Sequence, residues 1–158
     1  MKGVDDRHTI YLPLVPAPWW SGDLLPVDAK SPRRRIEAIN RFGRYIQREQ
    51  NYDFPMGVPE GDVKWKAYLF VGNVMSASAV QPVGVAVFEH QPPDGTQWGD
   101  RWWLMWVWIH PFERGRGFLS RSWGFFREEF GDFHIQRPIS KAMKSFLSKQ
   151  QITTKKSV

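Results

Sequence analysis

The residue types with most chemistry in this chain of 158 residues lie between Ile109 and Ser120, in the stretch IHPFERGRGFLS. An apolar run ends at Ile109, the chain turns through Pro111, and a basic loop containing Gly115 and Gly117 opens straight into a helical pattern. The first N–H groups of a helix have no internal partners and carry partial positive charge. Glycines just before them let a ligand approach the backbone closely. Arg114 and Arg116 add formal charge. This combination suits an anion, most naturally a phosphate or pyrophosphate. The pattern GxxxxGK[ST] is absent, so nucleoside triphosphate hydrolysis has no support. Gly115 and Gly117 give GxG, but the third glycine of a dinucleotide fingerprint falls at Ser120, and too little chain follows to complete that fold.

Other constellations are weaker. Ser120-Arg-Ser122-Trp-Gly124 has only part of a nucleophile elbow and falls inside a helical pattern, which argues against hydrolase chemistry. His8, His90, His110 and His134 are scattered without metal-ligand spacing, and no metal is expected. The absence of cysteine excludes disulfides, thiolate zinc sites and cysteine nucleophiles.

The elements that must position the loop read as follows. His8 to Leu12 is a short strand, followed by a proline-broken loop from Pro13 to Pro32. Ser31-Pro32 starts a helix, with Ser as N-cap and Pro at the first helical position. Ile36, Ile39, Phe42 and Ile46 carry that helix to about Gln50. Trp65 to Asn73 and Val83 to His90 are strands. Trp102 to Ile109, WWLMWVWI, is apolar on both faces and belongs in the middle of a sheet with helices on each side. Gly117 to Phe130 is a helix, Phe133 to Gln136 a strand, and Pro138 begins a last helix ending near Lys149. The order β–α–β–β–β–α–β–α defines one α/β or α+β domain over residues 1–150, with a basic tail over 151–158.

Composition narrows the class. The chain is 42% apolar and 24% charged, with nine tryptophans, enough to bury a core. No apolar run reaches the roughly 18 residues of a membrane span, and MKGVDDRHTI lacks the apolar centre of a signal peptide. A cytoplasmic protein without membrane attachment is expected. The net charge of +6 is a C-terminal feature: Arg137, Lys141, Lys144, Lys149, Lys155 and Lys156 stand there without an acid. Such a tail meets phosphate or is a solvated helix face.

The Ile109–Ser120 stretch resembles motif A of the GNAT superfamily of N-acetyltransferases. That signature is a strand ending in aliphatic-x-Pro, two residues, then Arg/Gln-x-x-Gly-x-Gly/Ala opening a helix. Ile109-His110-Pro111 supplies the strand end, and Arg114, Gly115, Arg116 and Gly117 supply the loop. The clear match covers about residues 83–150, and Leu119 replaces the motif's last small residue. The resemblance implies a GNAT-like domain with a mixed, mostly antiparallel sheet flanked by helices. It implies acetyl-CoA as co-substrate, lying where the central strand splays from the next. The backbone of Val107, Trp108 and Ile109 would pair with the pantetheine arm, and the Ile109 amide would polarise the thioester. The amides of Arg114, Gly115, Arg116, Gly117, Phe118, Leu119 and Ser120 would cradle the pyrophosphate.

An amine acceptor must lose a proton before it attacks. The family often places a glutamate near the start of the central strand, where Asp100 is the nearest carboxylate. His110, an imidazole beside the strand end, is a second candidate base, or is a solvent-facing loop residue. The family's tyrosine acid falls near Phe146, which has no proton to give, with Ser145 as a weak substitute. Trp19 and Trp20 either wall the acceptor site or pack beneath their loop. Arg33, Arg34 and Arg35 stand in a helix's first turn, where the macrodipole disfavours cations. They either meet an acidic acceptor or are solvated. The acceptor is a small molecule, a protein or aminoacyl-tRNA, and a homodimer is a further expectation. The other function class is a non-catalytic protein that uses this fold and its basic tail to contact RNA or another protein.

Overall fold

The computed structural model describes residues 10–156 except 19, 21 and 138. The strands are β1 (Val15–Pro16), β2 (Leu24–Val27), β3 (Trp65–Ser76), β4 (Ala79–Gln91), β5 (Arg101–Ile109) and β6 (His134–Ile135). The helices are α1 (Arg33–Gln50), α2 (Phe118–Phe130) and α3 (Lys141–Lys156). They form one six-stranded sheet in the order β2-β3-β4-β5-β6, with β1 on the end of β4 that β5 does not reach. Every pairing is antiparallel except β5 with β6. The fold is the expected mixed α+β sheet flanked by helices.

Strand alternation sorts the core onto two faces. On one, Ile39 and Phe42 of α1 meet Val85, Val87, Trp106 and Trp108. On the other, Trp123, Phe126 and Phe130 of α2 meet Phe70, Phe88 and Leu104, with Met143, Phe146 and Leu147 of α3 packed alongside. The doubly apolar sequence of β5 follows from this two-sided burial.

The N-terminal region departs from the sequence reading. His8 and Thr9 lie outside the described residues, and Ile10 to Leu12 form no strand. A side chain holds that segment instead, since the Tyr45 hydroxyl accepts from the Tyr11 amide at 3.0 Å and donates to its carbonyl at 3.1 Å. The expected Pro13–Pro32 loop contains β1 and β2. Pro26 hid the second strand, and it is tolerated there because β2 is at the sheet's edge. Ser31 does not cap α1: its hydroxyl accepts from the Asp28 amide at 2.9 Å, and Pro32 is the N-cap. At the other end, α3 runs past Lys149 to Lys156.

The connection from α1 to β3 crosses directly over the helix. A side chain at Gly43 would meet the Met56 carbonyl oxygen at 2.2 Å, so only glycine allows the approach. Asn40 Oδ1 accepts from the Val58 amide at 2.9 Å, and Trp106 Nε1 donates to the Gly57 carbonyl at 3.2 Å. The connection is thereby fixed as a wall beside β5.

Candidate active site

The site begins with a failure of pairing. β6 runs parallel to β5 for only two steps, Trp103 with His134 and Leu104 with Ile135, and a last bond from the Gln136 amide to the Leu104 carbonyl is 2.9 Å. Beyond Leu104 that edge of β5 is open. A bulge marks the same point. Val87 faces Trp106 and Phe88 faces Leu104, which leaves Met105 as the extra residue. Leu104 therefore packs on the α2 face, whereas both Met105 and Trp106 pack on the α1 face.

Past the bulge, the His110 amide donates to the Val83 carbonyl at 2.8 Å. Peptide groups alternate in direction along a strand. Those of Val107 and Ile109 therefore point away from β4, into a cleft of about 1320 Å³. The C-terminal part of α1, the Tyr52–Glu60 connection, β5, the glycine loop and α3 line this cleft.

The glycine loop follows a 3-10 turn at Pro111–Glu113. Gly115 and Gly117 adopt φ of +78° and +82°, the left-handed region that other residues enter at a cost. Gly117 is the N-cap of α2 and no side chain caps the helix, whose first backbone bond runs from the Arg121 amide to the Gly117 carbonyl at 2.9 Å. The N–H groups of Phe118 to Ser120 have no intrahelical acceptor. Phe118, Leu119 and Ser120 all line the cleft.

The two loop arginines differ in role. Arg114 forms a double ion pair with Glu49, at 2.7 and 2.8 Å, and its Nε donates to the Ile109 carbonyl at 2.8 Å. It ties the loop to α1 and fixes the last peptide of β5. Arg116 is 67% exposed, pairs with Glu113 at 3.5 Å and stands at the rim of the loop, outside the cleft lining.

The structure separates the remaining sequence-derived residues. Ser145 lines the cleft from α3, while Phe146 beside it also stacks edge-on against Trp123 at 5.0 Å. His110 is off the cleft, and its Nδ1 accepts from the Phe112 amide at 3.1 Å. Asp100 stands at the opposite end of β5, 72% exposed and 3.4 Å from His90. Trp20 packs against the α1-side core, and Trp19 lies outside the described residues. Arg33 pairs with Glu37 at 2.9 Å, Arg35 Nε donates to the Pro16 carbonyl at 2.9 Å, and Arg34 is exposed. None of these three arginines lines the cleft.

Sequence reasoning missed Glu89, which does line it. Glu89 continues the α1 face of β4 after the core residues Val85 and Val87, opposite Trp103. Burial raises its carboxyl above the ordinary range. A glutamate in phase with buried valines was the available signal. Among the described residues, no group of three or more His, Asp or Glu could hold a metal ion, and no helix is long and apolar enough to cross a membrane.

No family model matches the chain, and no curated protein matches it. Among solved structures it is similar to the xEco2 acetyltransferase domain in complex with a CoA conjugate. The identity is 16% and the TM-score 0.59, with 84% of this chain and 89% of that one covered. A second structure of that domain gives 15% identity and a TM-score of 0.56, covering 89% and 92%. The chain thus has the fold of an acetyltransferase domain.

Proposed function

We propose that the chain is an acetyl-CoA-dependent N-acetyltransferase acting on an amine. The observation that carries this reading is the open edge of β5 running into an uncapped helix N-terminus at Gly117. The amides from Arg116 to Ser120 receive the pyrophosphate, with Arg116 as the exposed cation beside them. Arg114 serves the site indirectly, by holding the Ile109 peptide in place. Val107 offers its N–H and C=O, and Ile109 its N–H, to the amides of the pantetheine arm, as a strand offers them to an added strand.

That arm is about as long as four or five extended residues, roughly 15 Å. Starting from the loop, it carries the thioester back past Ile109 to the bulge at Met105 and Trp106. A backbone N–H fixed near the carbonyl stabilises the negative charge that acyl transfer builds there. On this reading an amide at the bulge takes the polarising role that the sequence resemblance gave to Ile109. The departing thiolate has a pKa of roughly 8.5 and leaves tolerably without a strong acid. The acceptor enters on the α1 face, over the Tyr52–Glu60 connection. Arg33 to Arg35 lie away from that entrance and give no reason to expect an acidic acceptor.

Calorimetry with acetyl-CoA tests the reading, followed by CoA thiol release with amines, peptides and aminoacyl-tRNA as acceptors. Binding together with amine-dependent thiol release supports it. No heat at near-millimolar acetyl-CoA ends it.

A further inference from the structure

Glu89 stands one step from the β5 bulge and on the same sheet face as Met105. Trp103 is directly opposite it, and Met105, the bulged residue, is the next on that face of β5. The lysines on and just before β3 turn to the opposite face, Lys66 to Glu129 at 2.7 Å and Lys64 over the Trp102 ring. Gln91 Nε2 donates to the carboxylate over a long 3.5 Å. The carboxylate is thus partly desolvated and lines the cleft.

We propose that Glu89 is the general base, removing a proton from the acceptor ammonium directly or through one water. The inference rests on the acetyltransferase reading and adds a catalytic residue to it. The ammonium N–H bond breaks and its proton goes to a Glu89 oxygen. The freed nitrogen lone pair then forms the bond to the thioester carbon. As the tetrahedral adduct collapses, the C–S pair leaves with sulfur, the second nitrogen proton goes to the thiolate, and Glu89 returns its proton to solvent. The balance is one ammonium and one thioester giving one amide, one thiol and one proton. The raised carboxyl pKa fits the task, since a base works best with a pKa nearer the operating pH.

The test compares two acceptors at neutral pH: an alkylamine, which is protonated, and an arylamine, which is already neutral. In Glu89→Gln, turnover of the alkylamine should fall about 10²–10⁴-fold. Arylamine turnover should change less than about threefold, and Glu89→Asp should recover part of the alkylamine rate. Calorimetry should show unchanged acetyl-CoA affinity in both variants. Equal loss on both acceptors, or no loss on the alkylamine, overturns the assignment while leaving the acetyltransferase reading intact. Failure of the unmutated protein to bind acetyl-CoA removes both.

Discussion

At its Arg101 end, β5 is hydrogen-bonded along both edges. At its Ile109 end it is bonded along one. The residue types are alike at the two ends, and β4 continues beside both. The paired end is closed by aromatic packing, with Phe88 stacked on Phe130 at 4.0 Å and Trp102 against Phe130 at 4.8 Å. The unpaired end faces a cleft and a helix without a cap. A strand opens its peptide edge to a cleft here by losing a neighbour, and no special side chain is needed for it.

Substitutions should separate the two ends. The largest effect belongs to the closed end: Phe88→Ala, at a fully buried position, should cost about 3–5 kcal/mol in urea unfolding. Gly117→Asp, at the open end, should cost about 1–2 kcal/mol for its left-handed backbone. It should weaken acetyl-CoA binding by about 10- to 100-fold, through loss of charge-assisted hydrogen bonds. A Gly117→Asp protein that binds normally in calorimetry would erase the distinction between the ends.

Ser145→Ala sharpens the comparison within the cleft. If the thiolate leaves without a strong acid, kcat should change less than about threefold, whereas an essential acid is worth about 10²–10⁴-fold. Asp100→Asn should have the smallest effect on turnover, because Asp100 stands at the closed end of β5 and off the cleft.

Glu89 gives a pH signature independent of turnover. Its folded pKa lies above its unfolded value, so the native state holds the extra proton between the two. Its contribution to stability therefore falls as pH rises through that window. Glu89→Gln should raise the Tm modestly at pH 7 and leave it unchanged well below the ordinary carboxyl range. A lowered Tm at pH 7 would show that Glu89 is held by an unseen favourable partner.

The sequence disclosed the glycine loop, the central strand and both helices beside them, because strong local rules act there. Gly115, Gly117 and Pro111 have few conformations to choose from. WWLMWVWI fits only a strand buried on two faces. The bulge at Met105 was not legible, since it arises from the registers of β4 and β5 together and no residue type marks it. Arg114 read as an anion-binding charge because Glu49, its partner 65 positions away, is brought to it only by the fold. Pro26 made β2 look like a loop, although edge strands accept proline.

The two-step ladder between β5 and β6 also bears on how the protein opens. β3, β4 and β5 form a meander with long antiparallel registers, and the amides bonded within it should exchange only on global unfolding. β6 and α3 are joined to it by two paired residues and by side-chain packing. That packing separates at lower free energy, so α3 amides should exchange with deuterium well before those of β4. A ligand bridging β5 and α3 adds RT ln(1 + [L]/Kd) to the opening free energy of that unit. Hydrogen exchange with and without CoA should therefore show protection gained mainly in α3 and β6, locating the mobile jaw of the cleft without any measurement of catalysis.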